Sequence, residues 1–184
     1  MDVPFFYHKG ERLLFMDIEL VFIREDYFRE HIHFEKILDT NNPIKGSRRH
    51  YLFVKVGFNG NQIFVPLKSN LGDPNRYGKI GYSVPSTKRP NAGLDYRCIL
   101  IINEEKYLER PEYIKLNKDQ LKLIQSNYNI IEKEVVGYSK GYIKSVTKKR
   151  SHIDKMFKES SLRNFHVELG IEEKKESEQE KGVA

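Results

Sequence analysis

Residues 51–70 read YLFVKVGFNGNQIFVPLKSN. Two runs rich in β-branched and aromatic residues flank Asn59-Gly60. Asn-Gly between such runs is the strongest short-range signal for a two-residue β-hairpin, because both turn residues must take positive φ. The stretch therefore predicts an antiparallel pair near the middle of the chain. Pro66 cannot donate to a ladder, which marks an edge or a strand exit. Just beyond it, Lys68, Ser69 and Asn70 bring an ammonium, a hydroxyl and an amide to the end of a strand. Rigid backbone meets solvent there, which suits a site.

Upstream, LLFMDIELVFI (13–23) has strand composition, with Asp17 and Glu19 alternating against apolar neighbours. From Arg24 to Leu38 the period lengthens: Tyr27, Phe28, Ile32, Phe34, Ile37 and Leu38 recur at helical spacing, and residues 39–43 (DTNNP) end that helix. Downstream, residues 68–93 hold five Gly or Pro before Ser86 and read as a long loop, a feature that is often functional. Arg97-CILII predicts a buried central strand, and Tyr107-Leu108 begins a short extended piece. Asn117 is a good N-cap for a helix carrying Leu121, Ile124, Tyr128, Ile131 and Val135, which Gly137 and Gly141 interrupt. A further helix is expected over Ser151–Phe165. The tail from Gly170 has five Glu, three Lys and almost no apolar residues, so disorder is expected over 170–184 and one domain over 1–169.

The 184 residues are 39% hydrophobic and 32% charged, a globular but polar composition. No apolar run approaches the roughly 18 residues of a membrane span, and the N-terminus lacks the pattern of a secretory signal. A single Cys excludes an intrachain disulfide and, with no C-x-x-C, a thiolate zinc site; a reducing cytoplasm is the expected compartment. The P-loop, dinucleotide, zincin and nucleophile-elbow motifs are all missing. His31 and His33, two apart on a predicted helix, make a poor metal pair, so neither metal nor cofactor is expected.

Charge is unevenly spread. Residues 1–43 carry five basic and nine acidic side chains, whereas residues 44–97 carry ten basic ones against only Asp73 and Asp95. A surface with so few acids repels itself, and a polyanion relieves that repulsion; nucleic acid is the natural partner. RNA can be cleaved through its own ribose hydroxyl if the protein orients the nucleophile, stabilises the phosphorane charge and protonates the leaving oxygen. Lys68, Ser69 and Arg49 are a minimal set for this, with His50 or Lys88 as proton carriers. Arg48, His50, Asn70, Arg76, Lys79 and Arg89 are candidate RNA contacts.

The order of these pieces resembles the endoribonuclease toxins of type III toxin–antitoxin systems, the ToxN/AbiQ group with its CptN and TenpN relatives. The resemblance runs over residues 20–150. It begins with Val21-FIREDYFREHIHFEKIL, continues through the hairpin whose second strand ends in Phe64-Val-Pro-Leu-Lys-Ser69, and closes with Gln120-LKLIQSNYNIIEKE. Lys88-RPNAGLDYR is similar to the stretch before the next core strand in TenpN-like members. The resemblance implies an α+β fold: a compact, strongly twisted antiparallel sheet of the SH3-like barrel kind (MazF/ToxN-like) with added helices. It implies metal-independent cleavage of cellular RNA to a cyclic phosphate, and inhibition by a repeated pseudoknot RNA antitoxin. A cyclic hetero-oligomer with that RNA is expected, with a role such as phage defence. Ser69 falls on the family's serine after Pro-Leu. Lys68 stands where Thr is usual, and the lysine two residues after the serine is replaced by Leu71. The slots of an upstream Tyr and Lys hold Lys45 and Arg49, so the cation is kept and the tyrosine is not.

Two other readings compete. A non-catalytic RNA-binding module would use the same basic segment, with its Tyr and Phe for stacking. A DNA-binding domain would rest on residues 144–163, where Lys148-Lys149-Arg150 is more simply a solvated helix end or a grip on antitoxin RNA.

Overall fold

The computed structural model describes residues 5–6, 19–38, 42, 53–73, 75, 79–110 and 115–171. Among these, the strands in chain order are β1 (Phe5–Phe6), β2 (Leu20–Ile23), β3 (Phe53–Phe58), β4 (Asn61–Lys68), β5 (Gly81–Ser83), β6 (Gly93–Asp95), β7 (Leu100–Ile101), β8 (Leu108–Glu109) and β9 (Lys115–Leu116). The helices are α1 (Glu25–Glu30), α2 (Lys118–Ser126) and α3 (Tyr128–Thr147), with short 3₁₀ turns at Tyr96–Cys98, Glu105–Tyr107 and Ser161–Asn164.

The Asn-Gly hairpin forms as expected. Asn59 (φ 49°) and Gly60 (φ 77°) both take the left-handed conformation that a two-residue turn between twisted strands requires. The register runs from Phe58↔Asn61 to Phe53↔Pro66.

β4 is the hub of the main sheet, whose order is β5-β6-β4-β3-β2-β8 with every pair antiparallel. Its second edge takes two partners in succession, β7 at Ile63–Phe64 and then β6 at Leu67–Lys68. Changing partners along one edge bends the sheet into a curled half-barrel. Ile63, Phe64 and Val65 are each fully buried, which explains why β4 reads as a continuous apolar run rather than an alternating one. Pro66 lies near the exit of a central strand and not at an edge. Gln62 directs its N–H to Asn103 Oδ1 (3.0 Å) and accepts from Ile102 N (3.1 Å), so even positions of β4 face the β7 and β6 side. Pro66 thus lacks its N–H in the gap between those two partners.

Other sequence expectations need correction. The helix expected over Arg24–Leu38 ends at Glu30, and residues 31–38 are turns. Tyr27, Phe28 and Ile37 are buried and Phe34 and Leu38 half-buried, whereas Ile32 is exposed. Glu35 gives its N–H to Asn164 Oδ1 (2.9 Å) and its carbonyl accepts from Asn164 Nδ2 (2.7 Å), in place of helical partners. Of the expected 13–23 strand, Leu20–Ile23 is strand, Glu19 directly precedes it without being part of it, and 13–18 lie outside the described residues. The loop over 68–93 contains β5 and a tight turn in which Ser86 and Arg89 exchange backbone bonds (3.1 and 2.9 Å). Arg97-CILII is not one strand: Asp95 caps a 3₁₀ turn by accepting from Arg97 N (3.0 Å), and only Leu100–Ile101 pairs with β4.

Asn117 caps α2 by accepting from Asp119 N at 2.8 Å. The helical region breaks at Asn127, while Gly137 and Gly141 lie inside an unbroken α3. Gly141 has a packing role, since a β-carbon there would sit 2.9 Å from the Phe157 ring. Ile131, Val135, Tyr138, Ser139, Tyr142 and Ser145 form the buried stripe of α3. Its N-terminal end docks on the sheet through Tyr128 Oη, which donates to Lys55 O at 3.1 Å.

Residues 151–165 form turns and one 3₁₀ turn rather than a helix. Asp154 accepts from Met156 N (3.0 Å) and Ser160 from Leu162 N (3.3 Å), local bonds that compete with a helix. This segment buries Phe157, Leu162 and Phe165, and Leu169 beyond it is buried too. Ile171 is half-buried against the core, and residues 172–184 of the expected tail lie outside the described residues.

Candidate active site at the exit of β4

The exit of β4 is held by β6, through Leu67↔Leu94 and Lys68↔Gly93. β6 is buried throughout and ends in Asp95, whose carboxylate is 0% exposed. Lys68 Nζ donates to Asp95 Oδ2 at 2.9 Å. Arg97 Nε donates to Oδ1 and Nη2 to Oδ2, both at 2.9 Å, and Nη2 also reaches Leu71 O at 3.0 Å. Burial alone would raise the Asp95 carboxyl, but the Arg97 hydrogen bonds and the Lys68 charge outweigh it and hold it below the usual carboxylate value. Burial would likewise lower Arg97, and the Asp95 bond and charge raise it instead. Burial pushes the neighbouring Cys98 thiol up to about 12, so it stays protonated at neutral pH.

Ser69 follows Lys68 at a bend and is exposed. Asn70 is exposed too, and its Oδ1 accepts from Gly72 N at 2.8 Å, which closes the turn. Leu71 then dives inward: its N–H donates to Asn91 O at 2.9 Å and its side chain fills a notch over two glycines. A β-carbon on Gly93 would fall 2.3 Å from Leu71 Cδ1 and 2.4 Å from Tyr82 O, and one on Gly81 2.2 Å from Leu94 O. Leu71 is therefore an apolar plug under the strand exit.

The structure gathers Lys68, Ser69 and Asn70 at one strand exit. The hairpin of β5 and β6 rises from the same edge and carries exposed Lys88 and Arg89 at its tip, with exposed Lys79 before its first strand. Lys148, Lys149 and Arg150 are exposed at the C-terminus of α3, on a different element. Lys45, Arg48, Arg49, His50 and Arg76 lie outside the described residues.

Sequence reading missed Asp95 and Arg97. The available signal was that Asp95 is one of two acids in an otherwise basic third of the chain. His31 is half-buried, its Nδ1 2.8 Å from Tyr27 O and its ring stacked on Tyr27, and His33 is exposed. Among the described residues, no three His, Cys, Asp or Glu side chains are grouped to hold a metal, and no helix is long and apolar enough to cross a membrane.

No family model matches the sequence, and no curated protein matches it. One solved structure does. It covers 85% of this chain and 99% of its own, with a TM-score of 0.58 and 17% identity. It comes from work on bacterial Type III toxin–antitoxin systems and selective toxin inhibition by a non-coding RNA pseudoknot. The fold is thus the ToxN-like one that the sequence resemblance implied, a curled antiparallel sheet with added helices.

Proposed function

We propose that this chain is the toxin of a type III toxin–antitoxin system, a metal-independent endoribonuclease held inactive by direct binding of a repeated pseudoknot RNA in the cytoplasm. The observation that carries the reading is the likeness of fold over nearly the whole of a chain from such a system. The strand-exit cluster supports it, with exposed Ser69 next to a half-buried Lys68 at the residues that carry the sequence resemblance.

The reaction this site would run needs no group from outside the protein and its RNA. The ribose 2′-oxygen attacks the adjacent phosphorus, its proton passes to a base, and the 5′-oxygen leaves with a proton from an acid. A 2′,3′-cyclic phosphate and a 5′-hydroxyl result. Ser69 orients a phosphate oxygen, while Lys68 and Arg49 stabilise the charge that builds on the phosphorane. Lys45 and Lys88 bring further positive charge. Arg48, His50, Asn70, Arg76, Lys79 and Arg89 contact the RNA on either side of the scissile bond.

The test uses purified protein and a mixed RNA substrate in excess EDTA, with Ser69→Ala alongside. Cleavage in EDTA that drops by on the order of 10²-fold in the variant supports the reading. Equal cleavage by both proteins moves the site elsewhere. Binding without cleavage by either leaves a non-catalytic RNA-binding module.

A further inference from the structure

Asp95 is fully buried, yet it receives two cations from different segments: Lys68 from the end of β4 and Arg97 from the turn after β6. Arg97 alone satisfies this carboxylate, binding both oxygens with its side chain and one again with its backbone N–H. A second cation is not needed for neutralisation. One negative charge against two positive ones leaves a surplus positive charge at the strand exit, which an anion would balance. Lys68 is 28% exposed and gives one donor to Asp95. Its other donors have no protein partner among the described residues.

We propose that Asp95 is the positioning residue of this site: through Lys68 it holds an ammonium ready at the exit of β4 for an RNA phosphate. A free lysine loses rotamer freedom when it meets a phosphate, whereas one already held loses little. Arg97 keeps Asp95 ionised and occupied, so the carboxylate orients Lys68 without sequestering the whole ammonium. The catalytic consequence rests on the endoribonuclease reading, and the binding consequence does not.

The experiment uses the full chain and its Asp95→Asn, Lys68→Met and double variants, each checked for cooperative melting. Cleavage of an RNA oligonucleotide gives kcat and KM. Acetylation of Lys68, read by mass spectrometry with and without a 2′-O-methyl RNA that lacks the attacking hydroxyl, reports phosphate contact directly. Both single variants should lose on the order of 10²-fold in kcat/KM, and the double variant should be no slower than Lys68→Met. The 2′-O-methyl RNA should protect Lys68 from acetylation in the wild-type chain and protect it less in Asp95→Asn.

Losses that multiply in the double variant, wild-type cleavage by Lys68→Met, or no protection of Lys68 in the wild-type chain would each overturn the proposal. If the wild-type chain cleaves nothing but its Lys68 is protected, and RNA affinity falls together in Asp95→Asn and Lys68→Met, the endoribonuclease reading fails and the positioning role stands. If Asp95→Asn does not melt cooperatively, Asp95→Glu, which keeps the charge and displaces the carboxylate from Lys68, replaces it and is judged by the same criteria.

Discussion

Gly93 has no room for a side chain, because Leu71 and the Tyr82 carbonyl already occupy the space. Gly93→Ala should therefore destabilise the chain by about 1–3 kcal/mol through overpacking, with the loss read by urea denaturation. Leu71→Ala should cost about 2–5 kcal/mol, because Leu71 is buried against both glycines. Asp95 is one of the carboxylates that tie stability to acid pH. Its folded-state value lies below the unfolded one, so its contribution is complete above the unfolded value of about 3.9 and is lost as pH falls through the lower folded value. The denaturation midpoint should fall with acid over that window, and Asp95→Asn should flatten this part of the profile. Glu19 acts in the same direction: burial would raise it, but bonds from Lys55 and Arg110 hold it low, and the slope that survives in Asp95→Asn belongs to it and other carboxylates.

The elements that depend on neighbours in sequence were legible. The Asn59-Gly60 hairpin and the Asn117 cap are decided within a few residues, and so is the first part of the α3 stripe, Ile131 and Val135; its continuation past Gly137 through Tyr138 and Tyr142 was not legible. Replacing Ile131 with Ala should cost about 2–5 kcal/mol, while Lys133→Ala on the exposed face should change stability by less than about 0.5 kcal/mol; chemical denaturation separates the two. The elements that depend on distant partners were not legible. Residues 31–38 have helical spacing, but the bonds that hold Glu35 come from Asn164, 129 residues away. The Arg97-CILII run looks like a strand until Asp95 folds over its first residues as a cap. The candidate site divides in the same way. Ser69 and Lys68 were visible beside the hairpin, whereas the ion cluster required β6 to lie against β4.

Over the whole molecule the net charge of +6 understates the electrostatics, because the acids are concentrated outside residues 44–97. RNA affinity should fall steeply with salt as phosphate contacts displace counterions, and the slope of log affinity against log salt counts those contacts. A nearly flat response in filter binding would remove the basic surface from the account. Lys148, Lys149 and Arg150 are exposed with no carboxylate partner among the described residues. On the proposed reading, their joint reversal to Glu should weaken antitoxin RNA and spare cleavage of a short oligonucleotide. Equal loss of both would merge this end of α3 with the site.

The ion cluster also orders events in time. Lys68 and Asp95 are 27 residues apart, so the ribosome makes the strand exit before the segment that completes it. At about 5–20 residues per second, Lys68 and Ser69 precede Asp95 by about one to five seconds. β7, which closes the other half of the same strand edge, comes later still. On the proposed reading, a nascent chain is harmless to the messenger being translated until its middle third has emerged and paired, and translation order itself acts as a brief safeguard.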